Sequence, residues 1–237
     1  MASGVTLGTL GPKTVAVAGA GATNVKATVA VNLAVAIASL GATVELRDAD
    51  PERHSGRALT GASVERVGVG RGAPLEILAT PLDGQSTPAA PPQLLVHDCA
   101  PRLDAETSAA IRDSDAIVVA VDGSSLSLRA LDEVAAVRSA TGGDAVRVLL
   151  TRALPRTVDR WALVERLAER DGVRLSPVTV PMGRAARRPS GAAHVSPVRI
   201  RRATLYAPGT RAAHAYAAFA RELVAALGVK PADTKSR

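Results

Sequence analysis

Thr14-Val15-Ala16-Val17-Ala18-Gly19, with Gly21-Ala22-Thr23-Asn24-Val25-Lys26-Ala27-Thr28 close behind it, decides the fold. The first run is short and β-branched and ends in small residues, so it reads as a buried strand. Lys26 to Leu40 is alanine-rich and free of proline, and Gly41 stands where a helix takes its C-terminal cap. Strand, small-residue loop and helix thus follow in quick succession.

The same alternation continues along the chain. Thr43 to Arg47 reads as a second strand, followed by Asp48-Ala49-Asp50-Pro51. Residues 55–73 are glycine-rich and read as loop with some helix. Leu75 to Ala79 reads as a strand and the proline-rich segment 81–92 as a loop. Leu94 to His97 is another strand, followed by Asp98-Cys99-Ala100-Pro101. Ala116 to Val121 is a strong strand, Leu126 to Ser139 a helix and Val146 to Leu150 a strand. Val158 to Arg170 is an amphipathic helix, and a further strand ends at Val178 to Pro181. Arg211 to Leu227 is a final helix, with Ala215, Phe219, Leu223 and Leu227 at helical spacing. Residues 228–237 form a polar tail.

No internal repeat and no linker interrupts this order. It predicts a single α/β domain over 1–237, a mainly parallel sheet with helices on both faces. In such sheets ligands sit beyond the carboxyl ends of the strands. Gly19–Lys26, Asp48–Asp50 and Asp98–Pro101 all fall at such ends.

Composition narrows the class. Of 237 residues, 47% are apolar and 22% charged, a globular balance rather than a disordered one. The single cysteine, Cys99, excludes an internal disulfide framework and a cysteine-rich zinc site, and points to a reducing compartment. The longest largely apolar run, Val29–Val44, contains Asn32 and Ser39 and falls short of the about 20 residues of a membrane span. Met1 to Pro12 has no basic region and no signal-like apolar core. The expectation is a cytoplasmic protein that does not attach to membranes.

Charge is uneven. Residues 1–118 carry a net charge of −3 and residues 119–237 a net charge of +10. Arg184, Arg187, Arg188, Arg199, Arg201, Arg202 and Arg211 lie in one stretch that holds no acid. Such a patch attracts polyanions, because bound arginines release counterions from a phosphate backbone. Its plain alternative is a solvated basic face. With only Trp161, Tyr206, Tyr216 and Phe219 as aromatics, base stacking has few platforms, so duplex DNA fits better than a single strand.

The segment after the first strand has the layout of a phosphate-binding loop. There, backbone N–H groups cradle phosphates, a lysine reaches the outer phosphates and a Ser or Thr hydroxyl holds magnesium. Lys26 stands where the lysine belongs. Val25 replaces the glycine before it, and Ala27 replaces the Ser or Thr after it. An ordinary surface lysine is the plain alternative.

Val15 to His54 resembles the N-terminus of ParA-type ATPases, which segregate plasmids and chromosomes and group with MinD-like proteins as deviant Walker A proteins. The family pattern is KGGxGKTT, then a helix with AVNLA, then a strand and DxDP. This sequence has Gly21 to Thr28, then Ala30-Val31-Asn32-Leu33-Ala34, then Asp48-Ala49-Asp50-Pro51. Leu94 to Pro101 resembles the second acidic motif. Val119 to Leu131, Val148 to Arg152 and Val178 to Arg184 resemble later parts, so the resemblance spans nearly the whole chain in order.

The resemblance implies a P-loop NTPase-like fold, ATP and magnesium as cofactors, and a nucleotide-sandwich homodimer. It assigns Gly21, Ala22, Thr23, Val25, Lys26, Ala27 and Thr28 to the nucleotide. Asp50 would orient the attacking water, and Asp48 and Asp98 would support magnesium. Capping of a strand end or turn is the plain alternative for these carboxylates. Partners would be nucleoid DNA, bound through the arginines above, and a ParB-like or other adaptor protein.

The departures weaken the enzyme. Gly21 stands where the family's cross-subunit lysine belongs, Ala22 and Thr23 replace glycines, and Ala27 lacks the magnesium-binding hydroxyl. Phosphoryl transfer depends on positioning and electrostatics, and much of both is gone. The resulting expectation is a ParA-like DNA-segregation protein with weakened or lost ATP binding and hydrolysis. In it Lys26 serves as an anion-binding residue. The alternatives are a slow but active ATPase and a MinD-like cargo-positioning scaffold. His54, His97, His194 and His214 lack metal spacing, Cys99 has no visible base, and Ser124 to Ser127 reads as a helix start.

Overall fold

The computed structural model describes residues 11–19, 25–51, 55, 77–81, 92–144, 146–153, 158–181 and 209–230. Seven strands form one sheet: β1 (Lys13–Ala18), β2 (Val44–Asp48), β3 (Ile77–Pro81), β4 (Leu94–Asp98), β5 (Ala116–Val121), β6 (Val146–Ala153) and β7 (Val173–Pro181). Their spatial order is β3-β2-β4-β1-β5-β6-β7, and every pairing is parallel. The described helices are α1 (Val25–Ser39), α2 (Ala105–Asp113), α3 (Ser125–Ser139), α4 (Val158–Ala168) and α5 (Arg211–Ala226).

The period of two in a strand sends neighbouring side chains to opposite faces. In β1, Val15 and Val17 enter one core, with Leu33 and Ile37 of α1 and Tyr216, Phe219 and Leu223 of α5. Ala16 and Ala18 enter the other, with Ile111 of α2, Leu131 and Val134 of α3 and Leu167 of α4. Helices therefore cover both faces. Each fully buried Val, Leu or Ile contributes roughly 1.5–3 kcal/mol, which explains the unbroken apolar runs of β1 and β5.

Helix α1 is apolar nearly all round because it is walled in by the sheet and by α5. It ends at Gly41, whose φ of 95° suits glycine and whose N–H donates to the Ala38 carbonyl (2.9 Å).

Besides β6, which runs past Leu150 to Ala153, two elements exceed the sequence expectation. β7 begins at Val173, well before Val178. Pro177 disguises it, but β7 is an edge strand and bulges there: Val148 pairs with Leu175 and Leu150 with Thr179. The Ser176 hydroxyl accepts from the Val178 N–H (3.1 Å) and donates to Glu222 (2.8 Å), so the bulge keeps its polar groups paired.

Helix α2 is the second, and sequence pattern gives no sign of it, since it buries only Thr107 and Ile111. Its caps define it. Asp104 accepts from the Thr107 N–H (2.8 Å), and that bond holds the Asp104 carboxyl below the usual carboxylate range. At the other end, Arg138 of α3 donates to the carbonyls of Ile111 (3.1 Å) and Arg112 (2.9 Å).

The expected strand at Leu75–Ala79 is β3, two residues later, and Pro81 belongs to it rather than to the proline-rich loop. Most of that loop, nearly all of 55–73 and the end of the polar tail lie outside the described residues.

Candidate functional site at the carboxyl end of the sheet

β1, β2 and β4 all end at one edge of the sheet. Asp98 is in register with Val17 on one side and with Asp48 on the other. The Ala49 N–H donates to the Asp98 carbonyl (2.9 Å) and the Cys99 N–H to the Val17 carbonyl (3.1 Å), which carry the ladder one step past the strands. Asp48, Asp50 and Asp98 are thereby gathered in one place, and all three are buried.

Asp48 and Asp50 meet through the backbone: Asp48 Oδ1 accepts from the Asp50 N–H at 3.0 Å. That is the turn-forming use of a short carboxylate at a strand end.

Asp98 differs. It is fully buried, and each of its carboxylate oxygens has its own side-chain donor. Lys26 Nζ donates to Oδ1 and the Ser55 hydroxyl to Oδ2. Burial pushes the Asp98 carboxyl above its usual range, against the opposing charge and hydrogen bond of Lys26. Lys26, the second residue of α1, is only 5% exposed. Its ammonium is turned into the protein. Ser55 Oγ also lies 3.4 Å from the Ala27 carbonyl, so Ser55 touches α1 and β4 together.

Val25, Ala27 and Thr28 share the first turn of α1 with Lys26. The Thr28 carbonyl accepts from Asn32 Nδ2 (2.7 Å), which satisfies the one polar side chain in the middle of this buried helix. Beside Lys26, between Gly19, Asp122, Ser124 and Leu126, lies a hollow of about 20 Å³. Such a volume holds a water. Ser124 caps α3 as expected, accepting from the Ser127 N–H (3.3 Å) and donating to Asp122 (2.6 Å).

No protein-family model and no curated protein matches the sequence. Solved structures do match. A protein of Borrelia burgdorferi B31 assigned to plasmid partition, with AMPPNP bound, superposes with a TM-score of 0.58 at 14% identity, over 93% of this chain and 99% of its own. Cobyrinic acid a,c-diamide synthase of Mycobacterium smegmatis, with an ATP analog and magnesium, gives 0.56 at 17% identity over 95% and 100%. Apo McdA of Cyanthece gives 0.53 at 13% identity over 72% and 86%. The chain has the ParA/MinD-like P-loop NTPase fold.

Within that fold, the expected nucleotide residues divide. Gly21, Ala22 and Thr23 lie outside the described residues, whereas Val25, Lys26, Ala27 and Thr28 open α1. Among the expected DNA-binding arginines, Arg184, Arg187, Arg188, Arg199, Arg201 and Arg202 lie outside the described residues. Arg211 is exposed at the start of α5.

Magnesium does not fit the arrangement at the acidic end. Both Asp98 oxygens are engaged by Lys26 and Ser55, one Asp48 oxygen accepts a backbone N–H, and Ala27 offers no hydroxyl. Among the described residues no three His, Cys, Asp or Glu side chains form a metal-binding group.

Ser55 is the site residue that sequence reasoning misses. It belongs to no recognisable spacing, and only the folded chain brings it to Asp98. Cys99 is buried, and burial pushes its thiol up to about 12, so it is an inert thiol at neutral pH. His97 sits opposite Arg47 in register, and burial together with that charge holds its pKa below the usual value. Among the described residues no helix is long and apolar enough to cross a membrane.

Proposed function

We propose that this protein is a ParA-like positioning protein that binds duplex DNA without sequence preference, and whose ATP binding and hydrolysis are weakened or lost. One observation carries the reading: in a fold built around a phosphate loop, the loop's lysine is buried on Asp98. Val25 and Ala27 beside it support the same conclusion.

The arginine-rich stretch supports the DNA half. Arg184 to Arg211 supplies seven arginines and no acid, and phosphate contacts of this kind are sequence-independent. Since the lysine is already engaged, DNA binding is constitutive rather than switched by ATP. An adaptor protein of the ParB-like kind, read by its own surface, would link the DNA-bound protein to its cargo.

The test is titration onto nonspecific duplex DNA at two salt concentrations, with and without magnesium-ATP. Expected is binding that ignores ATP and falls steeply with salt. Removing Arg199, Arg201 and Arg202 together should lower the slope of log affinity against log salt by about 0.9 for each phosphate that is no longer neutralised. Binding that requires ATP, with turnover abolished by Lys26→Ala, would establish the slow ATPase instead.

A further inference from the structure

The Lys26–Asp98–Ser55 cluster has a property that neither the fold nor the DNA-binding reading requires. In it, the carboxylate that the resemblance assigns to magnesium support works against a bound phosphate group.

The ammonium of Lys26 and the carboxylate of Asp98 are both out of water, with side-chain exposures of 6% and 0%. A charge so placed needs a partner. Lys26 therefore cannot leave Asp98 for a second anion without breaking a buried pair. Ser55 sets how strongly Asp98 holds it. The single hydroxyl proton of Ser55 satisfies Oδ2, leaving Oδ1 to the lysine. When Lys26 departs, Asp98 keeps one donor instead of none.

We infer that Lys26 is the resident counter-cation of Asp98, a lock that an incoming polyphosphate must open before it can recruit the lysine. This rests on reading the carboxyl end of the sheet as an anion site. Breaking a buried pair of this kind is a penalty of roughly 100- to several-thousand-fold in equilibrium, and it lowers apparent anion affinity by the same factor. Asp98 is thus inhibitory toward anion binding. Ser55 is a positioning residue that moderates it.

The probe is inorganic tripolyphosphate without magnesium, titrated calorimetrically into the full chain. Asp98→Asn removes the charge but leaves an oxygen to accept from Ser55. It should bind tripolyphosphate at least about tenfold more tightly than the wild type, even where only part of that penalty is recovered. Ser55→Ala leaves Oδ2 without its donor, ties Asp98 more closely to Lys26, and should weaken binding several-fold. A purely structural cluster would move both variants in the same direction. If Asp98→Asn fails to fold, as judged by circular dichroism, the Ser55→Ala result decides.

Equal or weaker binding by folded Asp98→Asn, unchanged or tighter binding by Ser55→Ala, or no binding by any form overturns the lock. The same proteins are titrated onto duplex DNA. DNA binding that survives while the lock fails leaves the DNA reading intact. Loss of DNA binding while the tripolyphosphate pattern holds overturns that reading alone.

Discussion

The two ends of the sheet each carry a lysine–aspartate pair, and they behave oppositely. At the amino end, Lys13 meets Asp115 Oδ1 at 2.7 Å, with side chains 37% and 31% exposed. The second oxygen of Asp115 accepts from the Thr14 N–H at 2.8 Å. At the carboxyl end, Lys26 meets Asp98 with almost no exposure. The residue types are the same. Burial alone would raise both carboxyls. At Asp115 the donors and the charge of Lys13 outweigh it and the carboxyl sits below its usual range, whereas at Asp98 burial wins and the carboxyl sits above. The dielectric around a pair, more than its chemistry, decides whether it fastens a strand or holds a charge in reserve.

The largest expected effect comes from breaking the buried pair. Lys26→Met strands the Asp98 charge and should cost about 3–5 kcal/mol in denaturant unfolding. Combining it with Asp98→Leu should restore most of that loss, because a buried pair replaced by apolar groups is often neutral. A cost for Lys26→Met below about 1 kcal/mol would place that pair in the same class as the exposed one.

Arg138 gives an intermediate case, a buried cation whose partners are carbonyls rather than a carboxylate. Arg138→Ala leaves the end of α2 uncapped and should cost about 1–3 kcal/mol. Amide hydrogen exchange should locate the loss in residues 105–113. Uniform deprotection across the sheet would show that the cap is not local.

The smallest effect is at the amino end. Lys13→Met should cost no more than about 1 kcal/mol, less in high salt. Asp115 has a depressed folded pKa, so its contribution is fully present above the ordinary carboxylate pKa and disappears as pH falls through the folded value. Wild-type stability should therefore lose this part only below about pH 4. Asp115→Asn should flatten that acid limb. An acid limb unchanged by the substitution would mean that Asp115 plays no part in it.

The frame was legible because its signals are redundant. β1 and β5 are apolar runs that only a doubly covered strand can use, and α1 has length, composition and a cap glycine in agreement. α2 was not legible because its stability comes from Asp104 and from Arg138 of another helix, not from a periodic face. Pro177 hid the first half of β7, since proline normally ends a strand unless a bulge on an edge accommodates it.

At the site, sequence order put Lys26, Asp48, Asp50 and Asp98 at or just beyond the carboxyl ends of strands, and the structure brings them to one edge of the sheet. Sequence order could not give the direction of a flexible lysine. Motif position pointed Lys26 outward to phosphate, and a buried carboxylate in register with Val17 turned it inward. Ser55 was invisible for a related reason, since its role exists only through a contact with a strand far along the chain.

The enclosure of α1 has a consequence for synthesis. Its apolar surface is closed on one side by β1, β2 and β4 and on the other by α5, the last described helix to leave the ribosome. Until Tyr216, Phe219 and Leu223 arrive, a nearly all-apolar helix made early in translation has one face without a lid. The nascent chain thus carries a sticky surface through most of its elongation, a standing demand for chaperone cover.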